Sequence, residues 1–151
     1  MGQSLSQHYI HLTFSTKDRK PYIKETWEVE LHGCIARILN KYDCYALIIN
    51  TVADHVHVLF HLSKDYALSK IVDEVKTGST NWMKAIDDDN KDFSWHAGYA
   101  AFSVSHFQVD VVARSIQNQK NHHSQKTYQE EIDEIMKKLG VIEYDAAYYW
   151  N

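Results

Sequence analysis

Ten histidines are spread along this chain, and two of them, His55 and His57, stand one residue apart in the run Asp54-His55-Val56-His57-Val58-Leu59-Phe60. Side chains alternate along a β-strand, so both imidazoles face one side of a sheet and Val56 faces the other. At a spacing of roughly 6–7 Å, two imidazoles on one face can share a divalent cation. His61 falls on the same face and could extend the cluster. The competing reading of a bare His-x-His is a wet sheet face that binds nothing. A second group lies on the helical stretch Val109 to about His122. Val109, Val112 and Ile116 make its apolar stripe, while Ser115 and Gln119, four apart, stack on a neighbouring face that His122 continues. A glutamine carbonyl oxygen can complete a metal site begun by two histidines; otherwise such a polar row is a solvated face. Lys17, Arg19, Lys20 and Lys24 cluster in sequence, and Lys70, Lys76 and Lys84 recur further on. Each could meet phosphates or serve as solubilising surface. Trp95 and His96 could stack on a base, with the core as the other place for Trp95.

These residues need elements to position them. The 151 residues and 17.6 kDa suit a single domain spanning 1–151. With 44% hydrophobic and 24% charged residues the chain is neither disordered nor fibrous. Its net charge of -4 argues against a strongly electrostatic nucleic-acid binder while leaving room for a local basic patch. No apolar run approaches the ~20 residues of a membrane span, and the polar start Met1-Gly2-Gln3-Ser4 lacks the order of a signal peptide. A cytoplasmic protein without membrane contact is expected. Cys34 and Cys44 have no CxxC partner and read as small core residues. The acidic run Asp87 to Asp92 lacks a calcium-loop spacing and reads as a solvated loop.

His8 to Ser15 alternates as a half-buried strand. Pro21 opens a helical stretch carrying Trp27, Leu31, Cys34, Ile35, Ile38 and Leu39. Ala46 to Val52 and His55 to Leu62 are two strands around the short break Ala53-Asp54, hence a hairpin. A helix from about Leu68 to Ile86, a strand from Tyr99 to Val104, and helices Val109–His122 and Thr127–Leu139 follow, the last ended by Gly140. The aromatic tail (Tyr144, Tyr148, Tyr149, Trp150) should dock on its own core or on a second subunit. The order β-α-β-β-α-β plus C-terminal helices is that of an α+β, ferredoxin-like split βαβ: one antiparallel sheet with helices on one face.

Taken together, the chain resembles the single-tyrosine HUH transposases of bacterial insertion sequences, a group close to the transposases associated with repetitive extragenic palindromes. The resemblance runs nearly end to end. It takes in His11-Leu12-Thr13-Phe14-Ser15-Thr16-Lys17-Asp18-Arg19, the His-hydrophobic-His motif at Asp54-His55-Val56-His57, and Gly98-Tyr99-Ala100-Ala101-Phe102-Ser103-Val104-Ser105. It continues through Gln119-Lys120-Asn121-His122-His123, Tyr128-Gln129-Glu130-Glu131 and the tail from Glu143 to Trp150. It implies a ferredoxin-like fold, an obligate homodimer and a magnesium- or manganese-dependent reaction on single-stranded hairpin DNA. Carried over by position, His55, His57 and Gln119 hold the metal, and a tyrosine four residues before that glutamine attacks the phosphorus. Lys17, Arg19 and Lys20 are the candidate DNA contacts.

That nucleophile position is Ser115. A phenol has a pKa near 10, and an aliphatic hydroxyl is far less acidic. Serine is also too short to place its oxygen where a tyrosyl oxygen would sit. The chain as written is therefore expected not to form the covalent intermediate. Two further readings stand beside this one. One is a non-catalytic module that recognises hairpin DNA; the other is a metal-dependent hydrolase using His55, His57 and His61 with water as nucleophile.

Overall fold

Alternation along the strands decides what each face of the sheet carries. The structure is a computed structural model that describes residues 2–122, 126–140 and 145–150. His123 and Tyr144 of the motifs above lie outside the described residues. In chain order the elements are β1 (His8–Ser15), α1 (Glu28–Lys41), β2 (Tyr45–Val52), β3 (His55–Leu62), α2 (Leu68–Ile86), β4 (Ala100–Val104), α3 (Val109–Gln117), α4 (Gln119–His122), α5 (Tyr128–Leu139) and α6 (Ala146–Trp150). The strands form one sheet in the order β2-β3-β1-β4, with every neighbouring pair antiparallel. β3 thus lies between β1 and β2, which is the split βαβ arrangement.

Leu12 and Phe14 of β1 and Val56, Val58 and Phe60 of β3 point to one face and are fully or almost fully buried. There they meet Leu31, Ile35 and Leu39 of α1 and Ile71, Val72 and Val75 of α2. Burying side chains of this kind contributes about 1.5–3 kcal/mol each. The intervening positions, His11, Thr13 and Ser15 of β1 with His55 and His57 of β3, occupy the opposite face. A second cluster, Ala100, Tyr128, Ile132 and Met136 with Phe102, Tyr149 and Trp150 packed against it, covers that face. The two crossover helices therefore sit together on one face, and the appended helices roof the other. Cys34 and Cys44 are buried free thiols. Among the described residues no helix is long and apolar enough to cross a membrane.

Several boundaries depart from the sequence pattern, β2 among them, which begins at Tyr45, one residue before the expected Ala46. The stretch opened by Pro21 becomes helical only at Glu28. Before it, the Ile23 amide donates to the Ala53 carbonyl, and Lys24 pairs with Asp87 and Asp89 at 2.7 Å each. The segment is thus held to the β2–β3 turn and the acidic loop, whose bonds compete with those of a helix. The fourth strand begins at Ala100, one residue later than expected. The helix expected from Val109 to His122 divides at Asn118. The Asn50 amide of β2 donates to the carbonyls of Ile116 (2.9 Å) and Gln117 (3.2 Å), giving them partners outside the helical ladder. α5 ends as expected and begins one residue later, at Tyr128, with Thr127 as its cap: Thr127 Oγ1 accepts from the Glu130 amide, and Gly140 takes the left-handed cap at φ 63°.

Candidate metal and nucleic-acid site

β3 lies inside the sheet, so its side chains on the roofed face are held from both sides. His57 is opposite Thr13 on β1 and Asn50 on β2, and His55 is opposite Ser15 and Val52. The two imidazoles are 0% and 1% exposed, with ring centroids 5.1 Å apart. Each has its Nδ1 engaged. His55 Nδ1 lies 2.7 Å from Asp54 Oδ1, and His57 Nδ1 lies 2.8 Å from Nε2 of His11. Burial pulls the His11 pKa down to about 4, against the attraction of Glu131, so this ring is neutral near pH 7.

The roof brings α5 onto the pair. Tyr128 stacks on His55 with centroids 4.1 Å apart. Its hydroxyl meets Thr13 Oγ1 at 2.9 Å, and because Thr13 donates to the Val56 carbonyl, Tyr128 is the donor. Burial raises this phenol well above its usual pKa, which keeps the proton that the bond needs. One turn into α5, Glu131 places Oε1 3.4 Å from Nε2 of His57. The ligand atoms of His55, His57 and Glu131 all lie within 4.8 Å of one another. Two imidazole nitrogens and a carboxylate oxygen are a donor set that a divalent cation can accept.

Gln119 opens α4 and is 2% exposed, its amide directed back to the Ser115 carbonyl at 3.4 Å. The carbonyls just before it are those Asn50 captures, and Asn50 is the cross-strand neighbour of His57. Ser115 is exposed on α3. His61 stacks on Tyr45, at 4.9 Å, toward the other end of β3 and is not grouped with the pair.

Among the basic residues, Lys17 and Lys20 are exposed. Arg19 holds its guanidinium 5.0 Å from the ring centre of Trp150. Asp18 and Arg19 both have left-handed backbones (φ 58° and 56°), which costs energy in residues other than glycine. Lys24 and Lys70 are paired with acidic neighbours, Lys70 with Glu74. Lys76 donates to the carbonyls of His96, Ala97 and Gly98, and burial lowers its pKa to about 8. Trp95 belongs to the core, edge-on to Phe14 and donating to Ser79 Oγ.

His11, Tyr128 and Glu131 lie in the family motifs, yet residue type and spacing alone assign none of them to the metal site. The β1–β3 register puts His11 diagonal to His57 on the same face, so a correct pairing of the two strands would have found it. No local pattern marks Glu131 or Tyr128, because both depend on where α5 docks.

Residues 4–119 match the family model described as "Transposase IS200 like". No curated protein sequence matches the chain. Among solved structures, the chain is similar to a protein from Deinococcus radiodurans described as a transposase, with a TM-score of 0.62 and 19% identity over 79% of this chain and 96% of that one. It is also similar to a REP-associated tyrosine transposase bound to a REP hairpin, with a TM-score of 0.61 and 14% identity over 82% of this chain and 74% of that one.

Proposed function

Because the chain belongs to the IS200-like transposases, we propose that it binds single-stranded DNA bearing a hairpin and holds a divalent cation, Mg2+ or Mn2+, with His55, His57 and Gln119. Glu131 is a further candidate ligand from α5. The observation that carries this reading is the buried imidazole pair with both Nδ1 atoms engaged and a carboxylate beside it. With its Nδ1 held by Asp54, His55 would give its Nε2 to the ion, as metal-binding histidines commonly do. The mixed nitrogen and oxygen donors suit Mn2+ better than the all-oxygen preference of Mg2+. When bound, the cation would neutralise charge developing on a scissile phosphate. Lys17, Arg19 and Lys20 would contact the DNA backbone. The fold shared with a transposase that is bound to a REP hairpin supports the choice of ligand. A homodimer belongs to the same reading, and the exposed Phe107 just before α3 and Val111 on it offer apolar surface.

Ser115 stands where the attacking tyrosine would be. Its short side chain is exposed on α3, so strand cleavage through a covalent link is not expected of this chain, and its activity would be DNA recognition. The non-catalytic hairpin-binding module is the second reading, and the same serine favours it. Labelled single-stranded DNA from the flanks of its gene, incubated with Mn2+ and run on a denaturing protein gel, separates the two. A label retained only by Ser115→Tyr supports a transposase site silenced at one residue. Binding without adduct in either variant favours the module, and an adduct with the unaltered chain overturns the reading of Ser115.

A further inference from the structure

The His11–His57 hydrogen bond has two possible proton arrangements, and only one of them is compatible with a metal at His57. In the first, His11 Nε2–H donates to His57 Nδ1, and the His57 proton sits on Nε2, 3.4 Å from Glu131 Oε1. In the second, His57 Nδ1–H donates to His11 Nε2, which leaves the Nε2 lone pair of His57 directed at the ligand group. A ligating imidazole must present a lone pair, so ligation selects the second arrangement. Asp54 fixes His55 differently, since a carboxylate can only accept. His11 can do either, and its place is set by the sheet: it is opposite Leu59 on β3 and Phe102 on β4, diagonal to His57 on the same face. Its ring lies edge-on to Phe102 at 6.4 Å and tilted by 33° to His57 at 5.1 Å.

We propose that His11 is a positioning residue for the metal site, accepting the Nδ1 proton of His57 so that its Nε2 can bind the ion. This rests on the metal reading of His55 and His57 given above. Loss of the acceptor removes the arrangement that ligation requires, and outer partners of this kind typically change metal affinity 10–100-fold.

The test is Mn2+ titration of the full chain by calorimetry, with His11→Phe and His11→Gln alongside. Phenylalanine keeps a ring against Phe102 and removes the acceptor, whereas glutamine can place an amide oxygen near the former Nε2. About 10–100-fold weaker binding in His11→Phe, with His11→Gln within about fivefold of the unaltered chain, is the expected result. Equal affinity in His11→Phe and the unaltered chain would overturn the role of His11 while leaving the metal site standing. No binding by the unaltered chain would overturn the metal reading and this inference together. A second readout needs no variant. In the unaltered chain loaded with diamagnetic Zn2+, long-range 15N–1H correlation should show the His57 proton on Nδ1 and the His11 proton on its own Nδ1. A His11 proton found on Nε2 in that complex would overturn the proposal.

Discussion

The two faces of the sheet are made by the same strands yet hold opposite kinds of side chain. On β1, Leu12 and Phe14 enter a core of aliphatic and aromatic groups, while Thr13 between them bonds to the Val56 carbonyl and to Tyr128. On β3, Val56 and Val58 face α1 and α2, and His55 and His57 face α5. Both faces are closed to water at these positions. The crossover face is held by non-directional burial, so its residues could exchange for others of similar volume. The roofed face buries polar atoms that need partners, so each group there is tied to a particular neighbour. Two buried imidazoles with a half-buried carboxylate beside them carry a desolvation cost that the aliphatic face does not. The crossover face therefore supplies non-directional stabilisation, and the roofed face carries the polar groups that depend on particular partners.

The largest effect should come from the crossover face. Phe14→Ala removes a fully buried ring that is edge-on to Trp95, and denaturant unfolding should show a loss of about 3–5 kcal/mol. A loss under about 1 kcal/mol would mean that this face is not the main source of stability. Lys76→Met, at the edge of that core, takes the donor from three carbonyls and should cost about 1–3 kcal/mol. Its pH dependence has a definite sign. Burial lowers the folded pKa to about 8, below the ~10.4 of an unfolded lysine, so between those values the unfolded chain binds more protons. Stability relative to Lys76→Met should thus rise as pH increases from about 8 to 10, which thermal melts at several pH values would detect. On the roofed face, Tyr128→Phe deletes one hydrogen bond to Thr13 and keeps the stacking on His55. It should cost about 1 kcal/mol in the same unfolding assay. Smallest of all, Ser115→Ala on exposed α3 should change stability by no more than about 0.5 kcal/mol. A larger loss would give Ser115 a structural role that its exposure does not suggest.

What could be read from the sequence follows the same division. β3 and α2 have the ends that alternation and helical spacing give, because those signals are local. The imidazole pair was legible for that reason too, since a period of two forces His55 and His57 onto one face. The late start of α1 was not legible, because residues 21–27 take partners from the hairpin turn and the acidic loop. Nor was the break at Asn118, which comes from Asn50 on a distant strand. At the site, His11 becomes visible only once the β1–β3 register is known, and Glu131 only once α5 has docked. Residues of one strand pointed to the candidate site, and residues brought in by tertiary packing surround it.

The proposed divalent cation lies between His55 and His57 on the roofed face of the sheet. Calorimetric titration of Mn2+ into the full chain and into a His55→Ala, His57→Ala double variant tests this placement most directly, with circular dichroism to confirm that both are folded. One ion per chain is expected for the unaltered protein, with affinity at least about 100-fold weaker for the folded double variant. Equal Mn2+ affinity in the two would contradict this placement.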